Sequence, residues 1–202
     1  MRRLFFLLLI VQISCQAQGP QEKTEAVEHV ILPMVEDKYK LIFAKKPEYN
    51  SDGFDFPVGK PSGKGYYNAQ GFGGKSFHLG DDWNATTGGN SDIGHPIYSI
   101  ANGYVAESAD KKKGWGPVIR IVHYHKGKFY ESLYAHCQDM YVKPGDWVKR
   151  GQKIATIGNN NGMYLAHLHL EIRDKPDLPL GGGYSRETEG FLDPTVFIKA
   201  NR

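Results

Sequence analysis

Cysteine is scarce in this chain: Cys15 and Cys137 are the two among 202 residues. A fold stapled by several disulfides is therefore excluded, and stability has to come from a packed core. Charge of one sign is equally short. Lys and Arg number 25 against 22 Asp and Glu, a formal net charge of +3. No basic run exceeds Lys111-Lys112-Lys113, so the chain lacks a surface for tracking phosphates and no nucleic-acid partner is expected. Apolar runs are short as well, and the one from Leu4 to Val11 falls well below the roughly 20 residues needed to span a bilayer. Internal repeats are not evident. What the chain does have is turn chemistry. With 24 Gly, 11 Pro and 12 Tyr, and 40% hydrophobic residues, it reads as globular and β-rich rather than as a helical bundle or a disordered polymer.

The N-terminus orders Arg2-Arg3, the apolar run Leu4 to Val11 and a polar exit from Gln12 to Gln21, which reads as a signal for export over residues 1–17. The expected location is the periplasm, the cell envelope or the exterior. Two exits compete. Cys15-Gln16-Ala17 resembles a small-residue cleavage site, whereas Ile13-Ser14-Cys15 resembles a loose lipoprotein box that would leave a lipid anchor at Cys15. Gln12 stands in that box where an aliphatic residue is usual. On either route Cys137 is left without an intramolecular disulfide partner, and a monomer is expected. Residues 18–53 form a mixed N-terminal extension in which Val30-Ile31-Leu32 and Leu41-Ile42-Phe43-Ala44 are separated by charged residues.

From residue 54 to residue 202 the texture changes to short apolar runs between glycine-rich turns, which predicts a mainly all-β, antiparallel domain with irregular loops. Asn102-Gly103 between Pro96–Ile100 and Tyr104–Ser108 predicts one hairpin, and Lys126-Gly127 between Val118–His125 and Phe129–Cys137 predicts a second. The segment from Val142 to Ile154 alternates short strands with tight turns and resembles the barrel-sandwich hybrid turns of lipoyl and biotinyl carriers.

The chemistry lies in the histidines. In Ala166-His167-Leu168-His169-Leu170-Glu171-Ile172-Arg173 a strand period of two puts the aliphatic residues on one face and His167, His169, Glu171 and Arg173 on the other. Two imidazoles side by side on a strand can converge on a small cation. His123-Tyr124-His125 carries the same spacing, but His123 falls in phase with Ile119 and Ile121 and reads as a hydrogen-bonded structural histidine. His95 and His29 read as surface residues. His78 and Asp82 flank Gly80, which permits a bend that folds the carboxylate back beside the ring. Nitrogen plus hard oxygen ligands suit zinc, with a third protein ligand to come from the late strand and Asp81 as the rival to Asp82.

The ordered set of His78-x-x-x-Asp82, His136 in Tyr-Ala-His and His167-x-His169 resembles the lysostaphin/LytM-type zinc metallopeptidases. Gly94 to Gly103, Gly114 to Ile119 and Val142 to Ile154 extend the resemblance, which spans roughly residues 54–198. It implies a β-sheet groove holding peptidoglycan peptides, Zn2+ bound by His78, Asp82 and His169, and His136 and His167 as catalytic, non-ligating histidines. Which of the two is the base stays open, as does whether Glu171 and Arg173 orient ligands or face solvent. Departures from the family pattern are Asp81 before the ligand Asp, Leu170 in place of Phe, and an insertion-like loop from Trp83 to Asp92. The expected activity is a zinc-dependent endopeptidase for cross-bridges or stem peptides. The alternative is a non-enzymatic cell-wall-binding module or activator of another hydrolase. A carrier domain is disfavoured because no Glu-Ala-Met-Lys-like segment offers an exposed lysine.

Overall fold

The short apolar runs become short strands. In the computed structural model, which describes residues 35–202, these are β1 (Tyr66–Gln70), β2 (Asp81–Ala85), β3 (Pro96–Tyr98), β4 (Gly103–Asp110), β5 (Pro117–His125), β6 (Lys128–Ala135), β7 (Cys137–Met140), β8 (Trp147–Val148), β9 (Lys153–Ile157), β10 (Leu168–Arg173) and β11 (Phe191–Leu192). Helix α1 covers residues 35–44 and α2 covers Pro194–Ala200. The export signal, Cys15, His29 and Val30-Ile31-Leu32 fall outside the described residues. Among the described residues no helix is long and apolar enough to cross a membrane.

All the strand pairs are antiparallel. A large open sheet runs β1-β2-β10-β6-β5-β4-β8, with β11 beside β10, and a small sheet runs β3-β9-β7. The small sheet covers one face of the large one. Ile97, Ile154 and Ile157 from the former pack with Val105, Ile119, Ile121, Leu168 and Leu170 from the latter in one core, whose burial is the main stabilising contribution. Cys137 lies in the same core as a free thiol, and burial pushes its pKa up to about 12. It is therefore inert as a nucleophile.

The opposite face of the large sheet is divided. At one end α1 lays Tyr39 and Phe43, one helical turn apart, over Val122 and Phe129. The ring centroids of Tyr39 and Phe129 are 6.1 Å apart and those of Phe43 and Trp147 5.0 Å. Residues 35–44 of the N-terminal extension are thus packed on the sheet. The rest of this face carries polar side chains, described below. At the other end of the chain α2 starts on Pro194, and Asp193 caps it by accepting from the Val196 amide at 2.9 Å.

The second predicted hairpin is present: β5 and β6 pair in continuous register around Lys126 and Gly127, whose φ values of 48° and 83° suit a tight turn. The first is not. β3 pairs with β9 in the small sheet, whereas β4 pairs with β5 and β8 in the large one, so the chain crosses between sheets at residues 99–102. Gly103 serves close packing there instead of a turn, because a Cβ would lie 2.6 Å from the Val122 carbonyl oxygen and 2.7 Å from His123 Nδ1. In the 142–154 segment Gly145 and Gly151 do take positive φ, 96° and 72°. They deliver β8 to the large sheet and β9 to the small one.

His123 is buried, with Nδ1 2.8 Å from the Asn102 carbonyl and Nε2 2.7 Å from Ser132 Oγ. His95 is half-buried rather than on the surface, its Nδ1 2.8 Å from the Tyr66 hydroxyl. Burial, against a weaker opposing hydrogen bond to Asn102, lowers the His123 pKa to about 4. The unfolded chain binds a proton at this ring near pH 6.5 and the folded chain does not until about pH 4. Its contribution is therefore complete above pH 6.5 and lost as pH falls towards 4, by about 3 kcal/mol. The expected result is a thermal midpoint that drops across this interval while the His123 ring protons show no titration shift between pH 8 and 5. A His123 resonance titrating near pH 6.5 would contradict it.

Candidate functional site

Every side chain of β10 is buried, and its alternation splits core from chemistry. Leu168, Leu170 and Ile172 enter the core, while His169, Glu171 and Arg173 stand on the other face. Register then chooses the neighbours. His169 lies opposite Asp82 of β2 on one side and Ala135 of β6 on the other, so the Asp82 carboxylate shares its face. Asp82 Oδ1 is 3.0 Å from His169 Nδ1 and 3.4 Å from His78 Nε2.

Asp82 projects from a strand and not from a turn. Gly80 does not take positive φ, and its role is again close approach: a Cβ would lie 2.4 Å from the Leu170 carbonyl oxygen and 3.0 Å from His169 Cε1. The left-handed residue is Phe77, φ 56°, immediately before His78. His78 is held by a backbone pair with Gly73, its amide donating to the Gly73 carbonyl at 3.0 Å and its carbonyl accepting from the Gly73 amide at 2.7 Å. Asp81 is directed elsewhere. It accepts from Thr195 Oγ1 at 2.6 Å and from the Phe72 amide at 3.1 Å.

The donor set fits a zinc-like cation. His78, Asp82 and His169 each offer one ligand atom, and these atoms lie within 4.8 Å of one another. A carbonyl oxygen accepts but cannot donate, so His78 Nδ1, 3.2 Å from the Gln70 carbonyl, carries a proton and Nε2 offers its lone pair. Likewise His169 Nε2 lies 3.3 Å from Glu171 Oε1, leaving Nδ1 for the cluster. Burial disfavours a charged His169, but hydrogen bonds to Asp82 and Glu171 outweigh it and raise its pKa to about 9. Burial opposes ionisation of Asp82 too, and the hydrogen bond and charge of His169 overcome it and hold the carboxyl below its ordinary value. Asp82 thus meets the cluster as a carboxylate, and the proton on His169 Nδ1 is the one a cation would displace.

Two further imidazoles face this cluster. His136 follows β6, whose alternation would send it away from Ala135's side. Its φ of 60° breaks that alternation and sets its ring 4.7 Å from His167 and 5.9 Å from His169. Such a conformation in a residue with a Cβ is strained and is concentrated at functional sites. His136 Nδ1 lies 3.2 Å from the Trp115 carbonyl, and His167 Nδ1 lies 2.8 Å from the Leu165 carbonyl. Both rings therefore hold a proton on Nδ1 and carry a bare Nε2 when neutral. Burial, aided by the neighbouring His167 and His169, lowers the His136 pKa to about 3, so that ring is neutral across the physiological range.

A groove of about 670 Å³ passes over these residues, walled by Tyr67, Trp115, Tyr164, Leu165 and Tyr184. All five sequence-derived residues, His78, Asp82, His136, His167 and His169, come together here; His123, His125 and Asp81 do not. Sequence reading missed the ring of Tyr184, 5.1 Å from His78, and that of Tyr164, 5.0 Å from His136. No spacing marks either one, although Tyr184 ends a Gly181-Gly182-Gly183 run that shapes the wall. The insertion-like loop begins as strand: Trp83 packs 5.2 Å from Phe56, and buried Asp92 accepts from the Ala85 amide at 3.0 Å.

Known proteins resemble this chain in sequence and in fold. Lipoprotein NlpD of Yersinia enterocolitica is 42% identical over 82 residues, 41% of this chain and 80% of that protein. Murein hydrolase activator NlpD of Salmonella dublin is 38% identical over 101 residues, 47% of this chain but only 26% of that protein. The catalytic domain of the antimicrobial peptidase lysostaphin from Staphylococcus simulans matches with a TM-score of 0.52 and 26% identity, covering 66% of this chain and 92% of that one. The family model described as Peptidase family M23 matches residues 76–179, just over half of the chain and a span that contains His78, Asp82, His136, His167 and His169, so the chain belongs to that family.

Proposed function

We propose that this protein is a zinc-dependent endopeptidase that hydrolyses peptide bonds in the cross-bridges or stem peptides of peptidoglycan. The observation that carries the reading is the convergence of His78 Nε2, His169 Nδ1 and an Asp82 oxygen, with the bare Nε2 atoms of His136 and His167 facing the same groove. Zinc bound by His78, Asp82 and His169 would supply Lewis acidity, lowering the pKa of a bound water towards about 7 and polarising the scissile carbonyl. The remaining steps belong to the protein. One of His136 and His167 accepts the proton that the attacking water loses and returns it to the leaving amine, and the other stabilises the tetrahedral oxyanion. Their Nδ1 hydrogen bonds to the Trp115 and Leu165 carbonyls hold the rings at fixed angles, with Nε2 left for the groove. The groove walls orient an extended peptide over the cluster.

A second reading, as a non-enzymatic activator of another cell-wall hydrolase, is favoured by the name of the Salmonella relative. Mass spectrometry of peptidoglycan fragments incubated with the purified protein separates the two. The expected result is new peptide termini that vanish with a chelator and return with Zn2+. Intact peptides, together with stimulation of an added hydrolase, would establish the activator and refute the endopeptidase.

Location in the cell envelope is part of the proposal, resting on residues 1–17 and on relatives named as a lipoprotein and a murein hydrolase activator. Membrane fractionation checks the anchor. A lipid on Cys15 predicts release of the Cys15→Ser protein from membranes, and identical distribution of both proteins would rule it out.

A further inference from the structure

Glu171 and Arg173 share the site face of β10 but do not reach solvent. Both are fully buried, which excludes a solvated face and demands paired charges. Glu171 divides its two oxygens: Oε1 lies 3.3 Å from His169 Nε2, and Oε2 accepts from Arg173 at 2.6 and 2.9 Å. Arg173 in turn meets Glu131 Oε1 at 3.4 Å, and Glu131 takes Arg120 at 2.8 Å. Two anions and two cations alternate along one line, buried from Glu171 to Glu131 and half-buried at Arg120.

The same guanidinium reaches a second target. Arg173 Nη1 donates to the Leu178 carbonyl at 3.1 Å and Nη2 to the Leu180 carbonyl at 3.4 Å. Leu178 and Leu180 belong to the segment that continues through Gly181, Gly182 and Gly183 to Tyr184, where the groove wall forms. Trp115 Nε1 donates to the Gly181 carbonyl at 2.9 Å, and the Leu79 amide next to His78 donates to the Gly183 carbonyl at 2.9 Å. Arg120 touches the wall as well, through the Leu178 carbonyl at 2.8 Å, but its ion pairs are with Glu131 and Glu107 and not with Glu171.

We propose that Arg173 is a positioning residue that serves the metal centre and the groove wall together: through Glu171 it fixes which nitrogen of His169 faces the cluster, and through the Leu178 and Leu180 carbonyls it sets the wall that carries Tyr184. The inference rests on the reading of His169 as a metal ligand. A planar fork with five donors can meet a carboxylate and two carbonyls at once, whereas a lysine ammonium on a flexible stem cannot hold all of them. Partners of a ligating histidine's outer nitrogen affect metal affinity by about 10–100-fold when removed.

The test compares Zn2+ affinity, by competition with a chelating dye, with hydrogen exchange at the Leu79 and Ser185 amides, which bond to the Gly183 and Phe77 carbonyls. Glu171→Gln is expected to weaken Zn2+ binding at least about tenfold with little change in wall exchange. Arg120→Lys should speed wall exchange and leave Zn2+ affinity near wild type. Arg173→Lys should do both. Equal Zn2+ affinity in wild type, Glu171→Gln and Arg173→Lys overturns the proposal, whereas a wild-type protein that binds no Zn2+ overturns the metal reading itself. Should a variant not fold, nitrogen NMR of Zn2+-loaded wild type decides: His169 must bind through Nδ1 and keep a proton on Nε2, and a metal-bound Nε2 refutes the assignment.

Discussion

Purified without added metal, His169→Ala protein is expected to retain less than about a tenth of the zinc held by wild type, and His78→Ala and Asp82→Ala should behave alike. Removing any one of the three leaves two protein ligands, which rarely hold zinc against buffer. The geometry adds a reason specific to this chain. Each ligand ring is oriented from behind, His78 by the Gln70 carbonyl and His169 by Glu171, so a neighbouring side chain cannot swing in as a substitute without breaking those bonds. Asp81, the nearest alternative carboxylate in sequence, is committed to Thr195 and the Phe72 amide. Elemental analysis measures the outcome, and full zinc content in His169→Ala would show that the ligand set is wrong.

The second large effect divides chemistry from binding. His136→Ala and His167→Ala should keep zinc near one ion per chain yet lose about 10²–10⁴-fold in turnover, the usual contribution of a positioned proton-transfer group. The basis is contact. Neither ring belongs to the three-residue cluster; His167 Nε2 stands 3.8 Å from Asp82 Oδ1, farther than either His78 or His169. Zinc content and peptide cleavage measured on the same preparations check both halves. Wild-type turnover in His136→Ala, or loss of zinc in His167→Ala, would reverse the roles.

Periodicity told the truth where a strand had two different faces. The β10 alternation and the β5–β6 hairpin were both legible in the sequence, because aliphatic phase and a Lys-Gly turn each have one structural meaning there. Glycine was ambiguous. Gly80 and Gly103 invite a bend or a turn on paper, but in the fold each exists because backbone or a ring passes where a Cβ would stand, a long-range fact that no local window contains. The five site residues were visible through residue type and order. Its support was not: the burial of Glu171 and Arg173 depends on the wall segment 178–184, on Glu131 of the neighbouring β6 and on Arg120 of β5 one strand further, and nothing between residues 166 and 173 distinguishes a buried ion pair from a wet one.

Because β10 gives alternate residues to the core and to the site, it contains no position that can drift. Substitutions elsewhere in a sheet are commonly absorbed by the solvent side of a strand, but here six consecutive residues are buried on both faces. A single inserted residue would exchange the two sets, driving His169 and Glu171 among the isoleucines and lifting Leu168 and Leu170 into the groove. Folding and chemistry would fail in one step. A register error in this strand is therefore expected to cost the core and the cluster together.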